Sequence, residues 1–371
     1  MADVFDYLKW RGDLTFTQDP PNAVDALIFS ALAYIRFGDS VVNANYTPVT
    51  LIEAAEEYFS MADHEDRVRV KNDVDLLYEA AKSTRFGYAK LFLYRDLFIP
   101  EQETQFAAVT FLLDDGTAFV AFRGTDYTLV GWKEDFNMSF QQTVPAQRLA
   151  QQYVREVAAE HTVPLRLGGH SKGGNLAVFA AARSSPMVQQ QILEVYNHDG
   201  PGFTEYMMGD PGYMAMVPRI RTFVPQSSVI GMLLEHEEPY TVVKSKTVGL
   251  LQHEIYSWEI MGKGFITMQE ITEDSQFLDA TIKTWFAEMT NQERNQLVDV
   301  MFGLLGTGGV DNALEIFHPR NIRTYLKTLS SDVNMRRILS EEFQNLIEAA
   351  RKTRAQLEKE NKTEALEAPA E

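Results

Sequence analysis

The segment Gly169-His170-Ser171-Lys172-Gly173 constrains this chain more than any other. It reads G-x-S-x-G, and it stands where an apolar extended run (Val163, Leu165, Leu167) passes into a small-residue helix from Asn175 to Ala182. A serine on so sharp a strand-to-helix turn has a strained backbone and tolerates only small neighbours. Gly169, Gly173 and Gly174 meet that need. The turn lifts the hydroxyl clear of a sheet and aims a helix N-terminus at whatever is attacked. An ordinary glycine-rich turn before a helix could carry the same glycines. A phosphate loop fits less well, because Lys172 precedes the glycine pair and no Gly-Lys-Ser/Thr follows. Ser171 reads as a nucleophile.

Composition narrows what such a serine could serve. The 371 residues hold 34 Lys and Arg against 52 Asp and Glu, a formal net charge of −18. That field repels nucleic acid and anionic membrane surfaces. There are no cysteines, which removes disulfides, thiolate nucleophiles and cysteine-ligated zinc. No cofactor and no metal are expected. Met1 to Trp10 carries Asp3 and Asp6 and lacks the apolar core of a secretory signal. No stretch approaches the roughly 18–20 uninterrupted apolar residues of a membrane span. The expectation is a soluble, cytoplasmic protein without stable membrane insertion. Oligomeric state is left open.

The periodicity divides the chain into a helical N-terminal region (1–100) that packs on a core (101–262), a helical C-terminal region (263–350) and a charged, disordered tail (351–371). Apolar residues at three-to-four spacing after Asn22 (Val24, Leu27, Ile28, Ala31) predict a helix, and others are predicted near 48–61 and 68–81. Between Phe86 and Leu97 the pattern is irregular and aromatic. In the middle region Gln105–Leu113 and Thr117–Phe122 flank Asp114-Asp115-Gly116, a hairpin signature. A helix over 146–160, the strand into the serine turn, and strand-like runs at 193–198, 220–224, 240–244 and 256–260 follow. Alternating strands and helices imply an α/β fold, a mainly parallel central sheet covered by helices on both faces.

A serine hydroxyl needs a base beside it and an acid to orient that base. In sheet-based serine hydrolases the order along the chain is Ser, Asp/Glu, His. His198, His236, His253 and His318 follow Ser171. His198 adjoins Asp199 on a strand, so the two point to opposite faces. His318 falls in a helical region. His253, in a loop before a strand-like run, is the favoured base. His236 sits among Glu235, Glu237 and Glu238, a run that reads as a solvated loop; a site with no catalytic histidine is the remaining alternative. Asp199 ends the strand after the serine helix and is the favoured acid, although an Asx-turn would start the Gly-Pro-Gly bend equally well. Asp210 has similar turn chemistry farther from a strand end.

A tetrahedral oxyanion needs two fixed N–H donors. The backbone of Lys172 supplies one. The exit loop Phe122-Arg123-Gly124-Thr125-Asp126 offers the other through Thr125, with its hydroxyl as a further donor; Arg123 could instead simply hold an ion pair.

With these residues together, the chain resembles the class 3 (fungal-type) lipases of the α/β-hydrolase fold over about residues 105–262. Their F-R-G-S/T, later Trp and Asp, and G-H-S-x-G-G are matched by Phe122-Arg123-Gly124-Thr125, Trp132, Asp135 and Gly169 to Gly174. Segments such as Asp6 to Asp13, Asp199 to Phe203 and His253 to Trp258 are similar to a family of uncharacterised bacterial lipase-like proteins. In two respects the chain departs from class 3 lipases. Their acid follows the strand that here ends at Val224, where this chain has Ser227 and Ser228; Asp199 is instead similar to the acid of pancreatic-type lipases. They also carry leucine at Lys172, whose charge at a pocket floor would alter what binds. The resemblance implies an ester hydrolase working through an acyl-enzyme on a small acyl ester or lipid. It makes the segment from Tyr127 to Phe140, with Trp132 and Phe136, a lid over a pocket that His170 also lines; a plain helix on the sheet is the alternative. Met207, Met208, Met214 and Met216 could line an acyl groove or fill core. A non-catalytic interaction protein, a serine peptidase or amidase, and an acyltransferase are the other functional readings.

Overall fold

The computed structural model describes residues 1–37, 47–67, 69–126, 128–309, 315–316 and 318–367. At its centre is an eight-stranded sheet: β1 (Val49–Thr50), β2 (Lys90–Ile99), β3 (Thr104–Leu112), β4 (Ala118–Phe122), β5 (Leu165–His170), β6 (Ile192–His198), β7 (Ile220–Pro225) and β8 (Tyr240–Val243). The strands lie side by side in chain order, antiparallel from β1 to β4 and parallel from β4 to β8.

That order has a consequence for the layers. Successive right-handed crossovers that all step in one direction leave every connecting helix on the same face. Helices Pro145–Glu160, Lys172–Ala182 and Pro211–Met216 accordingly share one core with Ala118, Val120 and Phe122 of β4 and with Leu165 and Leu167 of β5. The opposite face must be covered from elsewhere. The N-terminal helices Val4–Arg11, Ala23–Leu32, Leu51–Ser60 and Lys71–Lys82 cover it, in a second core with Val109 and Phe111 of β3 and Phe119 and Ala121 of β4. Alternate residues of β4 thus divide between the two cores, as the period of a strand requires.

Helix Ala23–Leu32 is the centre of that layer. The Asn22 side chain accepts from the N–H groups of Val24 and Asp25, and every residue from Val24 to Leu32 is buried. A helix apolar all round belongs inside. Its Phe29 ring lies 4.8 Å from Phe111 and 4.9 Å from Phe119. Its one carboxylate, Asp25, is gripped by Arg85 through Nε at 2.7 Å and Nη2 at 2.6 Å, and accepts from the Tyr7 hydroxyl at 2.9 Å.

Beyond β8 the helices Glu273–Ala287, Asn291–Gly306, Pro319–Ser331 and Val333–Glu367 form the C-terminal region. A mainly parallel sheet with helices on both faces and a serine at the turn after β5 make this an α/β-hydrolase fold.

Three stretches differ from their sequence readings. β2 brings a sheet strand into the N-terminal region; its alternation is obscured by a bulge between Phe92 and Arg95, with Leu93 at φ 54°. Residues 256–260 are not a strand. Ile255–Ser257 is a 3₁₀ turn, and Ile260–Met261 joins Gly264–Phe265 in a small separate ribbon; the apolar pattern reflects burial of Ile255, Trp258 and Ile260. Helix Val333–Glu367 takes in most of the segment read as a disordered tail, tied back by Lys352 to Glu288 at 2.7 Å; residues 368–371 lie outside the described residues.

If the N-terminal helices are a required layer, Phe29→Ala should destabilise the whole domain by about 3–5 kcal/mol, the usual cost of truncating a buried phenylalanine. Urea unfolding followed by far-UV circular dichroism would show it. A loss below about 1 kcal/mol would contradict this view of the layer.

Candidate active site

Ser171 has φ 59° and ψ −133°, a region that costs a residue with a Cβ about 1–3 kcal/mol. Its neighbours hold it there. The Ser171 N–H donates to the His198 carbonyl at 2.9 Å, and its own carbonyl accepts from Gly174 N–H at 2.9 Å. A Cβ at Gly173 would lie 2.2 Å from the Phe122 carbonyl oxygen, so only glycine lets the helix begin this close to β4.

Asp199 follows the end of β6 with φ 53°, its N–H donating to the Phe223 carbonyl at 2.8 Å. The carboxylate is buried, and its two oxygens are used differently. Oδ2 accepts from His253 Nδ1 at 2.6 Å. Oδ1 accepts from the Ser228 hydroxyl at 2.5 Å and the Gly231 N–H at 3.2 Å. Asp199 is therefore more than the start of a turn. Ser228, in the loop after β7, holds a carboxylate that comes from the preceding strand. A Cβ at Gly231 would fall 2.2 Å from that same Oδ1. A neutral imidazole that donates from Nδ1 to Asp199 has Nε2 as its acceptor nitrogen.

His253 and Ser171 line one cavity. Among the described residues the Ser171 hydroxyl makes no hydrogen bond to the ring; such bonds are commonly long until substrate draws them in. His236 is occupied behind Asp199, bonded to the Gly231 carbonyl at 2.9 Å and Glu238 at 3.2 Å. Its surroundings are solvated only in part: Glu235 is exposed, whereas Glu238 is buried and accepts from Tyr213 at 2.5 Å and Thr222 at 2.7 Å. Asp210 caps helix Pro211–Met216.

Thr125 and Lys172 also line the cavity. Lys172 is the first residue of its helix, so its N–H has no intrahelical acceptor. Two side chains differ from expectation here. The Thr125 hydroxyl donates to Asp135 Oδ2 at 2.5 Å and is engaged there rather than being a spare donor. The Lys172 ammonium is buried on Gln105 (carbonyl 3.0 Å, Oε1 2.9 Å) and Glu134 Oε2 at 3.0 Å, so it brings no open charge to the floor. Burial pushes the Asp135 carboxyl up to about 6, against the opposing pull of Lys172 and Thr125. Arg123 is indeed in an ion pair, two-pronged on Asp96 at 2.8 and 2.5 Å.

The cavity encloses about 540 Å³, and its wall is apolar: Trp132 and Phe136, Ile230 and Leu233 after β7, and Trp285 and Phe286 from the C-terminal region. Trp132 and Phe136 lie on helix Leu129–Asn137, the described part of the lid segment; Tyr127 lies outside the described residues. Glu134 pins this helix down, accepting from Gln105 N–H at 3.1 Å and Ala146 N–H at 2.9 Å. None of the four methionines lines the cavity. Met207 and Met216 fill the core beside helix Lys172–Ala182.

His170 is buried in the cavity wall, 4.4 Å from His253 between ring centroids. Its Nδ1 meets the Tyr34 hydroxyl at 2.9 Å and its Nε2 the His253 carbonyl at 2.8 Å. Burial, then the nearby His253 and Arg69, hold its pKa well below the usual histidine range. Tyr34, Arg69 and Gly231 carry no sign of a site role in the sequence. Ser228 has one signal, its place at a strand exit.

Residues 80–303 match the family model described as Mbeg1-like. The chain belongs to the Mbeg1-like family. Ser171, Asp199, His253, Thr125 and the cavity wall from Trp132 to Phe286 all fall inside the Mbeg1-like span, whereas Tyr34 and Arg69 precede it. No curated protein matches the chain. Solved structures similar to it include M37 lipase (13% identity, TM-score 0.36, covering 56% of this chain and 67% of that one). Lipase II from Rhizopus niveus is similar at 14% identity and TM-score 0.35, over 67% and 87% of the two chains. A mutant form of MDLA from Penicillium cyclopium is similar at 11% identity and TM-score 0.38, over 67% and 87%. No helix among the described residues is long and apolar enough to cross a membrane.

His198, whose carbonyl supports the turn at Ser171, has a fully buried ring. Burial lowers the His198 pKa from 6.5 to about 3. From pH 6.5 downward the unfolded chain takes up a proton that the folded chain refuses. Stability contributed by the neutral ring is thus present above pH 6.5 and lost on acidification, with a slope approaching about 1.4 kcal/mol per pH unit. Between about pH 7 and pH 5, urea midpoints should fall less steeply for His198→Gln than for the wild type. Equal slopes would contradict the assignment of a neutral buried ring.

Proposed function

We propose that this Mbeg1-like protein is a serine hydrolase of carboxylic esters. One observation carries the reading: the His253–Asp199 hydrogen bond of 2.6 Å stands at the wall of the apolar cavity that Ser171 also lines. In the proposed reaction the Ser171 oxygen attacks the acyl carbonyl carbon while its proton passes to His253 Nε2. Asp199 keeps the ring in the tautomer that can accept it and stabilises the imidazolium. The oxyanion is received by the backbone N–H groups of Thr125 and Lys172. Collapse expels the alcohol, which leaves with the proton from His253. Water then attacks the acyl-enzyme, giving its proton to His253, and the carboxylic acid departs as the proton returns to Ser171.

The cavity argues for the acyl side of the substrate. Both cations in its wall are already taken, Lys172 by Glu134 and Arg69 by Glu254, so the space suits a neutral chain rather than an anionic group. An acyl ester or lipid whose chain fills this space is the proposed substrate. Each methylene buried there contributes about 0.8 kcal/mol, equivalent to a rise of up to about fourfold in kcat/KM.

Activity on p-nitrophenyl esters from acetate to octanoate should therefore climb with chain length. Ser171→Ala should lower kcat by roughly a thousandfold or more. Activity retained in folded Ser171→Ala would refute the reading; a rate that falls steadily with chain length would refute the acyl assignment of the cavity.

A further inference from the structure

The apolar residues on either side of His253 are placed differently: Ile255 after it is buried in the core shared with the N-terminal layer. Leu250 and Leu251, just before His253, are 68% and 66% exposed. The core side gives the loop Gln252, whose Oε1 accepts from Ser227 N–H at 2.7 Å, and the Asp199 bond. The Gln252 carbonyl also accepts from Trp258 Nε1 at 2.9 Å, and further holds come from the N-terminal layer.

The first runs through His170. A carbonyl can only accept, so the His170 Nε2 facing the His253 carbonyl carries the hydrogen. The ring is neutral, hence Nδ1 is the acceptor, and the Tyr34 hydroxyl donates to it. The second is Arg69. Its guanidinium takes both oxygens of Glu254, through Nη1 and, at 3.1 Å, through Nη2. It also lies 4.5 Å over the Tyr34 ring and 3.7 Å from Asp73. Asp73 in turn accepts from the Tyr256 hydroxyl at 2.6 Å. Residues 253, 254 and 256 are thus each tied to one layer, and Tyr34 and Arg69 touch each other within it.

We infer that Tyr34 and Arg69 are positioning residues for the base: the N-terminal layer sets the His253 ring over Ser171 by holding the backbone at 253 and the side chain at 254. The inference rests on the hydrolase reading above. Both residues lie ahead of the span that matches the Mbeg1-like family; on this inference the layer is part of the working site and more than a cover for the sheet. A base displaced by an ångström or so loses much of its effect while the substrate cavity stays intact.

The test uses the full chain, Tyr34→Phe and Arg69→Gln, with Arg69→Lys as the conservative control. Each is measured for kcat and KM on one p-nitrophenyl ester, for the rate of covalent labelling by a fluorophosphonate, and for thermal midpoint. Tyr34→Phe keeps the ring under Arg69 and should fold with its midpoint within about 5 °C of wild type. It should lower kcat and the labelling rate together by roughly tenfold or more, with KM within about twofold. Arg69→Gln should do the same, and Arg69→Lys should recover part of the loss by keeping the charge without the fork. Should Arg69→Gln fail to fold, Tyr34→Phe decides. Wild-type kcat and labelling in folded Tyr34→Phe, or a rise in KM with kcat unchanged, overturns the inference alone. A wild-type protein that neither labels nor hydrolyses overturns the hydrolase reading and this inference with it.

Discussion

Ser171 sits at φ 59° between β5 and its helix, and the geometry of its surroundings follows from keeping it there. The turn closes only because Gly173 lets the helix start against the Phe122 carbonyl, and because the His198 carbonyl takes the Ser171 N–H. Those contacts come from β4 and β6, the strands flanking β5. The exits of the same two strands lead to Thr125 and Asp199. Parallel strands end at one edge of a sheet, and that edge is where such folds place their ligands. The packing that sustains the strained serine therefore also brings the candidate oxyanion donor and the candidate acid beside it.

The strand order has an equally physical consequence. A sheet that adds its strands in chain order gathers the crossover helices on one face and leaves the other to be covered by something else. Here the N-terminal helices cover it, with Phe29 against Phe111 and Phe119 and with Asp25 neutralised by Arg85. Once that layer is in place, Tyr34 and Arg69 stand at the cavity wall. The C-terminal region adds Trp285 and Phe286 to the same wall. Both helical flanks thus contribute to one cavity.

What could be read in the sequence was what local chemistry dictates. The glycines around Ser171, the hairpin at Asp114 to Gly116 and the strand ending at Asp199 all impose local geometry, and the turn, the β3–β4 hairpin and β6 lie where they indicated. Sequence pattern and structure part where tertiary contacts override local preference. The bulge of β2 obscures its alternation, and residues 256–260 look like a strand because Trp258 and Ile260 are apolar and buried, although only Ile260 belongs to a strand, in the small ribbon with Gly264–Phe265. The sequence suggests an open Lys172 charge at the pocket floor because nothing local announces Glu134, which reaches it from another helix. In the sequence Ser228 marks only the lack of a carboxylate after β7, yet its hydroxyl, with the Gly231 N–H, holds Asp199. Tyr34 and Arg69 were invisible: they meet residues more than a hundred positions away, and no periodicity encodes that.

The most direct measurement is a crystal structure of the protein after reaction with an alkyl fluorophosphonate. The account requires phosphorus bonded to the Ser171 oxygen, the phosphoryl oxygen between the backbone N–H groups of Thr125 and Lys172, the alkyl chain along Trp132 and Phe286, and His253 Nε2 within hydrogen-bond reach of the adduct. Unmodified Ser171 in folded protein, or an adduct with His253 turned away from it and from Asp199, would contradict it.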